Sequence, residues 1–211
     1  MQRVGSYPRV LIDAAWPAQG WIRESVLLGA GVFLLAIAAQ LQIRLPFSLV
    51  PVTGQTFAVL LLAALLGSRR GPAVVAIYLF LGGLGAPVFA GGTAGVARLV
   101  GPTAGYLVGF IAAAYGVGWL SERGWDRHPG SAAASMALGN VCIYAFGALW
   151  LAQFVGGEAV LRTGVAPFIV GDLLKIAFAT LLLPAAWRLV GRAGLPPPSG
   201  GPSGPAGHGV G

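Results

Sequence analysis

Long segments without a charged residue follow one another along most of this chain, and this feature constrains its fold most. The uncharged segments are 25–43, 45–68, 71–97, 99–121 and 129–157. A further apolar segment, 163–187, contains only Asp172 and Lys175 as charged residues. An α-helix of about 20 apolar residues crosses a bilayer. The sequence therefore predicts six spans, at roughly 24–43, 52–68, 72–89, 101–120, 132–155 and 165–190.

Composition agrees with an all-α integral membrane protein. Hydrophobic residues make up 56% of the chain and charged residues 9%, whereas about 25% of a soluble domain is charged. The mean hydropathy is +0.80. The net charge of +7 comes from arginines that stand singly or in pairs between apolar segments. This pattern is typical of loop charges that set membrane topology, so we expect surrounding lipid and no nucleic acid as a partner.

Arginines are distributed unequally between alternate connections, and this distribution predicts the orientation. One set comprises Arg3, Arg9, Arg23, Arg69, Arg70, Arg123, Arg127, Arg188 and Arg192, and the other comprises Arg44, Arg98 and Arg162. Cytoplasmic loops carry the excess of arginine, so both termini are predicted in the cytoplasm and loops 44–51, 90–100 and 156–164 outside. The predicted division is an N-terminal cytoplasmic segment 1–22, a transmembrane domain 23–192 and a disordered Gly/Pro-rich tail 193–211.

Asp172 and Lys175 are the most informative polar residues of the apolar segments. An ionisable residue inside a membrane helix costs about 2.5–3.5 kcal/mol on insertion scales, and such residues usually face a bundle interior, find a partner and have a function. Residues three apart share a helix face. The two side chains therefore present an acceptor and a donor together, near the outer end of the sixth span. The alternative is a structural ion pair that fastens this helix to its neighbours.

The sequence lacks the residues that several functional classes require. Cys142 is single, and His128 and His208 lie in a polar loop and a tail, so we expect no metal site and no cofactor. No phosphate-binding G-x-x-x-x-G-K-[ST] segment and no nucleophile–base pair are present, so an enzyme or an assembly factor is disfavoured. Glycines at four-residue spacing, such as Gly105 and Gly109, predict close helix packing.

Four motifs occur in order along the chain. They are P-V-T-G-Q-T at 51–56, L-G-x-x-G-x-P-V-F-A-G-G at 81–92, G-P-T-x-G-Y at 101–106 and G-D-x-x-K at 171–175. Over roughly residues 25–190 the chain closely resembles the BioY family, the biotin-binding substrate (S) components of energy-coupling factor (ECF) transporters. One departure is Ala104, where glycine is more usual. Another is the first span, which lacks the A-x-x-x-A pattern of many S components.

The resemblance implies a fold, a ligand and partners. It implies a six-helix bundle in a bacterial or archaeal cell membrane, with a biotin pocket near the outer face. The implied partners are a transmembrane coupling (T) protein and two cytoplasmic ATPase subunits. Two alternatives stay open at this point. The protein could transport biotin alone or as an oligomer without ATPases, or it could be an S component for another vitamin.

The resemblance also implies the site residues. Asp172 and Lys175 match G-D-x-x-K, and Asp172 would accept the ureido N–H groups while Lys175 donates to the ureido carbonyl or neutralises the aspartate. Arg98 would hold the carboxylate, although the opposite assignment, with Lys175 on the carboxylate, is open. The further polar residues of the predicted site are Thr53, Gln55, Tyr106 and Asn140. The predicted walls are Val52, Leu84, Val88, Phe89 and Tyr144.

Overall fold

The computed structural model describes residues 10–194, and the described chain is mostly helical. Its helices are α1 Leu11–Ala15, α2 Trp21–Gln40, α3 Gln55–Gly83, α4 Val96–Val100, α5 Ala104–Ser121, α6 Pro129–Val155, α7 Gly157–Val160 and α8 Ala166–Gly194. A π-helical turn, Leu161–Val165, joins α7 to α8. The strands β1 Gln42–Ile43 and β2 Val52–Thr53 pair antiparallel, with Gln42 opposite Thr53.

Five helical segments within the described residues are long and apolar enough to cross a membrane. They are α2, α3, α5, α6 and the segment Gly157–Gly191. The predicted all-helical membrane fold is therefore confirmed. The predicted tail falls largely on residues 195–211, which lie outside the described part of the chain, as do residues 1–9.

Helix α3 contains the two segments that the sequence predicts as separate spans. Its backbone leaves helical geometry at Gly67, where φ is 87° and ψ is −179°. The side chain of Gln55 nevertheless donates a hydrogen bond to the Tyr78 hydroxyl at 2.9 Å, although 23 residues of straight helix would separate them by about 35 Å. The part of α3 after Gly67 therefore folds back along the part before it. The count of six spans stays a prediction, because it requires the two parts to cross the membrane separately.

The break in α3 is stabilised from neighbouring elements. Glu122, at the end of α5, accepts hydrogen bonds from the backbone N–H of Ser68 at 2.8 Å and from its hydroxyl at 2.7 Å. Gly118 of α5 packs directly against the backbone of Gly67 and Ser68. The carboxylate thus binds an N–H group that the broken helix leaves without its helical acceptor. The pair Ser68 and Glu122 fixes where the turn lies.

Charged side chains gather at the same end of the bundle as the break. Arg70 contacts Glu24 at 2.7 Å and Asp13 at 2.9 Å, and Arg23 contacts Asp13 at 2.9 Å. Arg23 and Arg70, predicted to share one side of the membrane, therefore meet on the same carboxylates. Which side of the membrane this end faces stays a prediction.

The apolar core runs between α3, α5 and α6. Small residues let these helices approach closely: a side-chain carbon on Gly105 would lie 2.3 Å from the Cβ of Trp150, and one on Gly109 would lie 3.1 Å from the Cα of Ile143. The predicted packing role of these glycines is confirmed. The packed core leaves a cavity at the end of the bundle opposite the charged cluster.

Candidate ligand-binding site

A cavity opens where the irregular segments of the chain converge. Its empty volume is about 650 Å³, which includes the open solvent at its mouth. Its lining comes from the 41–54 loop, both parts of α3, the 84–95 loop, α4, α5, α6 and α8. The lining residues are Val50, Pro51, Thr53, Gln55, Thr56, Tyr78, Phe89, Ala90, Thr93, Arg98, Thr103, Tyr106, Leu107, Phe110, Tyr144 and Phe168.

Six of the sixteen residues that line the cavity are aromatic. Tyr78 and Phe89 meet edge to face with ring centroids 5.5 Å apart, and Phe168 lies against both Tyr106 and Tyr144 at centroid distances of 6.3 and 6.5 Å. Aromatic rings in such contacts are rigid and apolar, with polar hydroxyls at their edges. The cavity therefore suits a flat apolar body that carries a few hydrogen-bonding groups.

Hydrogen bonds hold the loops around the mouth. The Tyr78 hydroxyl, which accepts from Gln55, donates to the Val88 carbonyl at 3.1 Å. The Gln40 side chain accepts from the N–H of Gly92 at 2.9 Å and donates to the Phe89 carbonyl at 3.2 Å. The 84–95 loop is thereby tied to α2 and to the second part of α3.

The π-helical turn completes the opposite rim. The Tyr106 hydroxyl donates to the Gly164 carbonyl at 2.7 Å, and the Ser48 hydroxyl contacts the Thr163 carbonyl at 2.6 Å. Local π-helical geometry is frequent at functional sites. Tyr106 therefore lines the cavity and anchors this rim at the same time.

Asp172 and Lys175 form the ion pair that their spacing predicts, and they lie immediately behind the cavity wall. The Lys175 ammonium is 2.8 Å from the Asp172 carboxylate. It also donates to the Thr53 carbonyl and to the Thr56 hydroxyl, each at 2.9 Å. Its three donors are thus satisfied within the protein.

The Asp172 side chain is 5% exposed and reaches the cavity through its partners. Thr56 donates to it at 3.0 Å, and the Tyr144 hydroxyl donates to its other oxygen. Both Thr56 and Tyr144 line the cavity, whereas Asp172 and Lys175 do not. The ion pair thus fixes the hydroxyls of two wall residues.

The other predicted site residues divide into two groups. Thr53, Gln55, Phe89, Arg98, Tyr106 and Tyr144 line the cavity. Asn140 is buried beside Lys175 in a separate small cavity, and its Oδ1 has no partner among the described residues. Val52 packs against the core, Leu84 is 71% exposed, and Val88 lies on a groove beside α2.

Arg98 stands at the mouth with its guanidinium uncompensated. Among the described residues the side chain makes no ion pair.

The residues that sequence reasoning missed include Thr56, Tyr78 and Phe168. Thr56 directly follows Gln55 in the P-V-T-G-Q-T motif, and Tyr78 is a tyrosine within an apolar segment, so both carried a weak signal. Phe168 carried none.

Comparison with known proteins matches this chain to a family. The model of the BioY family matches residues 10–192. A relative from Pyrococcus horikoshii, named a probable biotin transporter BioY, is 38% identical over 76% of this chain and 93% of its own length. A biotin transporter BioY from Thermotoga maritima is also 38% identical, over 74% of this chain and 92% of its own.

A solved structure has a similar fold. It is a crystal structure of the S-component for biotin from an ECF-type ABC transporter, with a TM-score of 0.67. The match covers 81% of this chain and 95% of the other, at 23% sequence identity. This similarity concerns the path of the backbone and the arrangement of the helices.

Proposed function

The chain belongs to the BioY family, and from this premise we propose that it is a biotin-binding S component of an ECF transporter. The aromatic cavity carries this proposal. Biotin has an apolar bicycle, a ureido group with two N–H donors and a carbonyl, and a carboxylate on a flexible chain. The cavity offers aromatic walls, the hydroxyls of Thr56 and Tyr144, and one guanidinium at its mouth.

The proposed orientation places the bicycle inside and the carboxylate outside. The ureido group meets the wall that Asp172 and Lys175 support, where hydrogen bonds to charged partners contribute about 1.5–3 kcal/mol each. The ureido N–H groups bond either to the Tyr144 and Thr56 oxygens or, after a shift of these side chains, to the Asp172 carboxylate itself. The carboxylate meets Arg98.

Energy for uptake is proposed to come from partner subunits. The similar solved structure is named as part of an ECF-type ABC transporter, which supports a coupling protein and ATPases as partners of this chain. The proposed membrane topology has both termini in the cytoplasm and the cavity facing outward. Reconstitution separates this from autonomous transport: uptake of biotin into liposomes by the purified protein alone, without ATP, would favour the autonomous alternative.

Calorimetric titration of biotin into the detergent-purified protein tests the binding proposal. We expect binding in the nanomolar range with a stoichiometry of one, and no heat from thiamin or riboflavin under the same conditions. A folded protein that gives no heat with biotin but binds another vitamin would contradict biotin as the ligand. It would still agree with an S component.

Removal of the Tyr144 hydroxyl tests the proposed wall contact. We expect Tyr144→Phe to weaken biotin binding by about twofold to tenfold, the equivalent of one hydrogen bond between neutral groups. Tyr115, which is exposed on α5 and does not line the cavity, supplies the matched control Tyr115→Phe. Equal affinities for the two variants would exclude the Tyr144 hydroxyl from ligand binding.

A further inference from the structure

A second, more polar cavity opens beside the mouth of the first. The two cavities share Pro51, Ala90 and Arg98 in their linings, so they are contiguous. The remaining lining comes from the 41–51 loop and includes Gln42 and Arg44. A ligand that enters the aromatic cavity from this side passes both arginines.

The position of Arg44 depends on a glycine in the facing loop. Gly91 has a φ of +73°, and a side-chain carbon there would lie 2.4 Å from Nη2 of Arg44 and 2.6 Å from Nε2 of Gln42. Both side chains thus cross from the 41–51 loop and lie directly against the backbone of the 84–95 loop. The Gln42 Oε1 is buried and has no partner within residues 10–194.

The charges around this second cavity are unbalanced. The sequence contains no aspartate or glutamate between Glu24 and Glu122. Neither Arg44 nor Arg98 makes an ion pair within the described part of the chain. The other charged residues at this end are the exposed Glu158 and Arg162 and the mutually paired Asp172 and Lys175. A concave surface with uncompensated positive charge concentrates anions and speeds their association.

We propose that Arg44 and Arg98 form a carboxylate-binding vestibule, in which Arg44 captures the acidic end of the ligand before Arg98 holds it. The inference rests on the proposed function, because it concerns the route of the same ligand. At Arg98 the guanidinium holds the carboxylate with two parallel hydrogen bonds, whereas Arg44 attracts the carboxylate by its positive charge. Arg44 is exposed at the rim and Arg98 is half-buried, so the first contact serves capture and the second serves retention.

The rates of association with biotin and with biotinamide test the vestibule. Biotinamide carries a neutral amide in place of the carboxylate. The variants are Arg44→Gln, Arg44→Lys and the control Arg162→Gln, which removes an exposed arginine outside the vestibule. In an uncharged detergent at low ionic strength, we expect Arg44→Gln to slow biotin association about fivefold, because rim charges act mainly on association. Arg44→Lys and Arg162→Gln should keep the wild-type rate. The loss should vanish at high salt, where exposed charges are screened.

The neutral ligand separates a charge effect from a packing effect. We expect wild type and Arg44→Gln to bind biotinamide at equal rates. An unchanged biotin rate in Arg44→Gln, or the same loss for biotinamide, would overturn the vestibule. Equal losses in Arg44→Gln and Arg162→Gln would assign Arg44 to general surface charge or to lipid phosphate instead. A wild-type protein that binds neither ligand would refute the proposed function.

Discussion

Replacement of Asp172 by asparagine should both destabilise the protein and abolish tight biotin binding. The Lys175 ammonium would lose its counter-ion in a largely buried position, and removal of one partner of a buried pair costs about 3–5 kcal/mol. We expect a loss of this size in the free energy of unfolding, measured by titration with sodium dodecyl sulfate. Biotin affinity, measured by calorimetry, should fall by more than about a hundredfold, because Tyr144 and Thr56 lose the charged acceptor that orients them.

A double variant separates the structural role of the pair from its role in binding. Asp172→Leu combined with Lys175→Met replaces both charges by apolar side chains, which is often neutral or stabilising for folding. We expect this protein to regain most of the stability lost in Asp172→Asn and still fail to bind biotin. Glu158→Gln removes an exposed carboxylate and serves as the control for charge. Normal biotin binding by the double variant would show that the pair has only a structural role.

The pair Asp172 and Lys175 also shows what spacing along one helix can and cannot predict. Their contact follows from helical geometry alone, since residues three apart share a face, and the structure has it at 2.8 Å. Their position behind the cavity wall depends on other helices. Thr56 on α3 and Tyr144 on α6 lie between, and only the packing of those helices with α8 determines that position.

The loops show the same limit in another form. Motif resemblance predicted Phe89 and Arg98 for the site, and both line the cavity. Val88 and Leu84, in the same glycine-rich run, do not line it, and Gly85 and Gly91 within this run have positive φ. Without regular periodicity, no sequence rule assigns a face to residues in such a segment.

Substitution of Gly118 by alanine should destabilise the bundle far from the cavity. A methyl group there would lie 2.5 Å from the carbonyl carbon of Gly67 and 2.6 Å from the backbone N of Ser68. Backbone atoms cannot move aside by a change of side-chain rotamer, and the Ser68 N–H is already hydrogen-bonded to Glu122. Overpacking of this kind costs about 1–3 kcal/mol, and we expect a value at the upper end in the free energy of unfolding.

Gly116 provides a matched control two residues earlier in the same helix. No atom lies within 4 Å of a side-chain carbon built on it, so Gly116→Ala gains helix propensity worth about 0.5–1 kcal/mol without a clash. The two alanine variants should therefore shift stability in opposite directions. Folded Gly118→Ala should keep biotin affinity, since Gly118 does not line the cavity. Equal stabilities would show that α5 does not press on the break in α3, and Glu122 alone would then have to fix the turn at Gly67.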